Sequence, residues 1–301
     1  FFTQKTAYEM LRSLVGSEMC IRDSYISMIK ILAITDIHHG QAFETKKSGS
    51  ALSLLDRFVR HANQTKPDFI VDLGDRINDV DQKTDYRLMQ EVAEKFRQIS
   101  IQREHVLGNH DVAFLSSKDN ETLLDAPVES RSFVMRNWHF IFWSPDTQYS
   151  TKSGFPQDAK AVDWLETALE KHSGPTALFC HVPQVAGNLD GNYWFEQNPW
   201  AAALPYKNRV LDILANHPGV QITFGGHLHW PRLNTLNGIH HITLPSIIES
   251  FFSGGAACGS WAEICISDDL AIKINGHQNL EWKLPLRKYG DKWPTPRMAS
   301  R

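Results

Sequence analysis

Residues 29–38, IKILAITDIH, decide how the rest of the chain is read. Isoleucine, leucine and alanine run almost unbroken to Ile34, and the segment then closes on an acid and an imidazole, Asp36 and His38. Near-continuous apolar runs of this length mark strands covered on both faces, as in parallel sheets. The pattern recurs downstream. DFIVDLGD (68–75) is again a buried strand ending in an acid, Asp75, and HVLG (105–108) is a third, running into Asn109, His110 and Asp111. Between them, ALSLLDRFVRHANQ (51–64) sets Leu52, Leu55, Phe58 and Val59 at helical spacing. A further helix is predicted over about Asp85 to Ile99, with Leu88, Val92 and Phe96 on one side. This βαβαβ order implies a parallel sheet with right-handed crossovers.

Beyond residue 130 the pattern changes. RSFVMR and HFIFW (131–143), split by Asn137 and Trp138, read as a hairpin. A helix is predicted near 158–171, then strand TALFCH (176–181), a loop over 182–203, a helix over 206–216 and strand VQITFGG (220–226). Short β segments follow: IHHITL, WAEICIS and LAIKIN. The fold class is α/β: one domain over 28–301 with two β layers. The last stretch, with Pro285, Pro294 and Pro296, is expected to wrap the surface. Residues 1–27 are set apart. QKTAYEM and LVGSEMCIRDS resemble translated sequencing-adapter DNA, so this leader is read as a disordered artefact, with Met28 as the expected start.

With 31 basic and 34 acidic residues the formal net charge is -3, which argues against a nucleic-acid surface. No run of 18 apolar residues suggests a membrane span, and no membrane partner is expected. The four cysteines are scattered, without the pairs of a zinc site or the density of a disulfide scaffold, and a cytoplasmic location is expected.

Ligands of open α/β sheets gather outside the carboxyl ends of the strands. Five strand ends here carry Asp36 and His38, then Asp75, then Asn109, His110 and Asp111, then His181, then His227 and His229. Singly, a strand-end Asp is ordinarily a turn or cap residue, and a lone His near a core is ordinarily a packed one. The Asp-x-His and His-x-His spacings are expected to aim two donors the same way from an extended segment. Together these strand ends point to a cation site of mixed carboxylate, amide and imidazole donors, suited to Mn, Fe, Zn, Co or Ni.

In order, DIH, GD, GNHD, a lone His and GHLH resemble the motif series of the calcineurin-like metallophosphoesterases. The resemblance implies a two-layer β-sandwich flanked by α-helices and two divalent metal ions, one held by Asp36, His38, Asp75 and His229, the other by Asp75, Asn109, His181 and His227. Asp75 would bridge them. The metals would activate a bridging water as the nucleophile, and His110 would assist the leaving oxygen. Asp111 is expected to orient His110, or else to be a turn cap. Asp79 or Asn78 stands where relatives carry a further acid, His39 is expected either to support a ligand from behind or to be structural, and His105 is expected to be a packing residue. The implied reaction is hydrolysis of a phosphodiester or pyrophosphate bond in a small nucleotide-like substrate. Class III cyclic-nucleotide phosphodiesterases and manganese-dependent ADP-ribose and CDP-alcohol pyrophosphatases are both similar. A broad-range phosphomonoesterase is the alternative, and a catalytically silent scaffold a third reading. The aromatic loop 184–203 is expected to hang over the metals, where Tyr193, Trp194, Phe195 and Trp200 either stack a base or pin the loop.

Overall fold

The computed structural model describes residues 28–277 and 279–288. The leader and most of the proline-rich tail lie outside them, and with them the expectations placed there. Strands β1 (Ile29–Ile34), β2 (Phe69–Asp72) and β3 (Arg103–His105) pair in parallel, as their apolar runs require. Three later strands, β10 (Trp261–Ile266), β11 (Asp269–Asn275) and β12 (Leu280–Pro285), extend this sheet antiparallel beyond β1, giving the order β12-β11-β10-β1-β2-β3. The second sheet has the order β4-β5-β6-β7-β9-β8. It comprises the hairpin β4 (Arg131–Met135) and β5 (Trp138–Phe142), then β6 (Thr176–Phe179), β7 (Val220–Gly225), β8 (Arg232–Leu236) and β9 (Ile239–Thr243).

The two sheets face each other across an apolar layer. Phe142 and Phe179 stack with ring centroids 5.3 Å apart, Phe179 and Phe224 at 5.0 Å, and Phe69 meets Phe140 edge-on. Ile31, Val71, Ile264 and Ile272 fill the facing side. The outer face of the first sheet is covered by α1 (Ala51–Thr65), α2 (Gln82–Phe96) and α3 (Ser117–Leu124), and that of the second by α4 (Ala159–Glu170) and α5 (Lys207–Asn216). The result is the expected two-layer sandwich flanked by helices. Helix α2 begins three residues before Asp85, because Asp81 caps it and accepts the Thr84 amide at 2.8 Å. Among the described residues no helix is long and apolar enough to cross a membrane.

Candidate metal centre

The carboxyl ends of β1, β2, β3, β6 and β7 meet at one edge of the sandwich. The chain does not stay extended there. Asp36, His38, Asp75, His227 and His229 all have positive φ, between 45° and 64°. For residues other than glycine this conformation is uncommon and carries strain of order 1–3 kcal/mol, which gathers at functional sites. The expected mechanism for the Asp-x-His and His-x-His pairs, alternate residues of an extended segment, therefore does not operate. Tight left-handed turns aim the side chains instead, and backbone hydrogen bonds hold those turns: Asp36 N to Gly74 O at 2.9 Å and His38 N to Asp75 O at 3.0 Å. Two glycines make room. A Cβ on Gly108 would collide with the Asp75 carboxylate, and one on Gly226 with Thr35 and Asp36.

The donors converge in overlapping groups: Asp36, His38 and His229; His38, Asp75 and His110; Asp75, His181 and His227. His229 Nε2 lies 3.3 Å from Asp36 Oδ1 and 3.0 Å from His38 Nε2. Asp75 Oδ2 is central, 3.2 Å from His181 Nε2 and 3.7 Å from His38 Nε2. The His-x-His pair is thus divided, His229 facing Asp36 and His227 facing Asp75. Three of the imidazoles hold an oxygen outside the centre with their other nitrogen. His181 Nδ1 meets Leu73 O at 2.9 Å, His227 Nε2 meets Ala201 O at 3.0 Å, and His229 Nδ1 meets Glu249 Oε2 at 2.8 Å. Metal-binding imidazoles are oriented in this way. His181 Nε2, although near Asp75, is buried without a hydrogen bond, and so is Asn109 Oδ1. Burial alone would raise the Asp75 carboxyl, but the charges of His181 and His110 hold it well below its ordinary range. Asp36 behaves alike: burial raises it, but His229 and His38 outweigh that and hold it well below its ordinary range. His181 is lowered by burial yet driven up to about 9 by Asp75, while burial and His181 push His227 down to about 3. Two buried carboxylates that draw protons onto neighbouring imidazoles, with orphaned nitrogen and oxygen donors between them, fit a pair of divalent cations.

Around this centre the structure corrects one expected role. Asp111 does not orient His110. Its oxygens accept the amides of Asp75, Arg76 and Gly108 at 2.8–2.9 Å and pair with the Arg76 guanidinium at 2.7 Å. The carboxylate on His110 Nδ1 is Asp79. His110 Nε2 lies 3.9 Å from Asp75 Oδ2. His39 is bound to Glu91 at 2.6 Å and His105 to Asp72 at 2.8 Å, both structural as expected. Two residues that the sequence reading does not single out also stand here. Glu249, against His229, is pushed down to about 2: burial raises it and the imidazole lowers it more. Lys46 is buried, with Nζ 3.3 Å from His38 Nδ1. A cavity of about 760 Å³ opens over the centre, lined among others by Lys46, Asn109, His110, Tyr149, Trp194 and Phe195. Trp194 donates to Glu249 at 2.9 Å and Phe195 packs on the His227 ring, whereas Tyr193 and Trp200 stay half exposed. The loop both pins itself down and walls the site.

Solved structures share this architecture. A dimetal phosphatase from Danio rerio superposes with a TM-score of 0.69 at 17% identity, over 86% of this chain and 99% of that one. Purple acid phosphatase PPD1 from yellow lupin gives 0.60 at 12% identity, over 91% of this chain and 57% of that one. GAP50, the anchor in the inner membrane complex of Plasmodium, gives 0.58 at 15% identity, over 87% and 90%. At such identities the likeness concerns the fold. A comparison with curated proteins returned no match. The profile of the calcineurin-like phosphoesterases matches residues 29–231, from the first strand through His227 and His229. On that match, and with clusters able to hold two metals in place, the chain belongs to the calcineurin-like phosphoesterase family of dinuclear, metal-dependent hydrolases.

Proposed function

We propose that this chain hydrolyses a phosphodiester or pyrophosphate bond in a small nucleotide-like molecule. One cation would be held by Asp36, His38, Asp75 and His229, the other by Asp75, Asn109, His181 and His227. When bound, such a pair supplies Lewis acidity that makes hydroxide available near neutral pH and offsets phosphate charge. The chain's own residues do the rest. Asp79 holds His110 Nδ1, which fixes the ring with Nε2 toward the leaving oxygen, where it delivers a proton. Asn109 offers a neutral oxygen and so adds no negative charge beside the phosphate. Trp194 and Phe195 form an apolar wall that shields the reacting group from water and gives a planar substituent a face to lie on.

The observation that supports this reading is a cavity of about 760 Å³ walled by Trp194 and Phe195 and lined by Asp75, Asn109, His227 and His229, beside the converging Asp and His groups. The test is a substrate panel with added Mn: bis-p-nitrophenyl phosphate, cyclic AMP, ADP-ribose, CDP-choline and a simple monoester. Chelator-sensitive turnover of a diester or pyrophosphate above the monoester is expected. Preference for the monoester would replace the reading with a phosphomonoesterase, and no turnover of any member would leave a scaffold.

A further inference from the structure

Lys46 is buried at the wall of the cavity, and burying an ammonium is costly unless it is paired. Among the described residues its one hydrogen-bonding partner is His38 Nδ1, at 3.3 Å. Among the described residues no carboxylate lies within ion-pair reach of Nζ, and two of its three N–H donors have no partner. Asp75, Asp36, Glu249 and Asp79 surround it at longer range, and the Trp194 ring lies 5.1 Å away. The placement is built, not incidental. Lys46 sits on a turn through Glu44 (φ 49°), closed by Lys46 N to Phe43 O at 2.8 Å. That turn is tied to the Glu249 segment by Lys47 N to Ile248 O at 3.0 Å and Ser250 Oγ to Thr45 O at 2.6 Å. A rigid turn thus holds a buried cation with spare donors against the cavity that receives the substrate.

We propose that Lys46 is an anion subsite that binds a second, non-scissile phosphate of the substrate. The inference rests on the phosphoesterase reading above and narrows it toward substrates with two phosphates. The four surrounding carboxylates serve the cations and the imidazoles, which leaves the ammonium for the ligand. Separate oxygens of that phosphate would accept the two free donors, a charge-assisted contact that a diester lacks once its single phosphate is held by the cations.

Calorimetric titration of the metal-loaded full chain with methylenebisphosphonate and with methylphosphonate decides it. Lys46→Gln keeps a donor for His38 but removes the charge. It is expected to weaken the bisphosphonate by about tenfold or more and the monophosphonate by less than about threefold. Lys46→Arg should restore most of the bisphosphonate affinity. Equal loss for both ligands would mean that Lys46 serves the scissile group, and no loss would mean that it serves neither; either overturns the subsite. Elemental analysis of Lys46→Gln guards the remaining case, because a protein that no longer retains metal shows Lys46 acting on His38 instead, which also overturns it. Binding is read without turnover, so failure of the substrate panel sinks the functional reading separately.

Discussion

The His110 imidazole is useful only if it points one way, and Asp79 sets that direction. His110→Ala is therefore expected to keep its metal and lose about 10²–10⁴ in turnover, most severely with poor leaving groups. Asp79→Asn should act through the same proton, lowering kcat with little change in KM and displacing a limb of the pH–rate profile. A double variant no slower than His110→Ala would show that the two act as a unit. A single variant as fast as the parent toward a poor leaving group would remove the acid from the mechanism. The ligand-type residues were legible because each motif ends an apolar run, where a polar triplet has no packing reason to exist. Asp79 was marked as a candidate acid without its partner, and Glu249 and Lys46 were not singled out. Glu249 reaches His229 from a segment 20 residues on, and Lys46 reaches His38 around a turn, contacts that only the folded chain creates. Of the two roles expected for Asp111, only the turn cap is realised. Adjacency to His110 in sequence suggested contact, but a 3₁₀ turn at 110–112 sends its carboxylate toward the backbone of the neighbouring strand end.

At the scale of elements, the ends of β2 and β3 are fastened by a buried charged network. Arg76 binds Asp72 at 2.5 Å, Asp111 at 2.7 Å and Val106 O at 2.7 Å, all without solvent. Removing one member leaves uncompensated charge. Arg76→Met is expected to cost about 3–5 kcal/mol in denaturant unfolding, and to cut metal affinity because Asp75 loses its backbone anchor. His105 adds a pH term. Burial pushes it from its ordinary 6.5 down to about 4, although Asp72 pulls the other way. The unfolded chain takes up a proton in this window that the fold refuses. Stability is then full above pH 6.5 and falls toward pH 4, by up to roughly 3 kcal/mol at 1.36 kcal/mol per unit. His105→Gln should flatten that slope in unfolding curves taken between the two values; an unchanged slope would assign the loss to other groups. The strands and helices themselves were readable because apolar period and length agree. What could not be read was the left-handed backbone at the ligands, since a strand-end Asp or His carries no mark of its φ.

For the whole molecule, Asp36, His38, Asp75 and Asn109 follow strands of one sheet, while His181, His227 and His229 follow strands of the other. Cation loading is accordingly expected to stabilise the entire fold. At about 100 times Kd, binding to the native state alone is worth about 2.7 kcal/mol, readable as a rise in melting temperature that chelator reverses. A melting temperature indifferent to Mn and chelator would speak against bound cations. The same arrangement makes the centre a rivet: neither layer can peel away without surrendering its half of the grip. Amide exchange at the ends of β1 and β7 should therefore slow in concert on loading, although the two strands belong to different sheets.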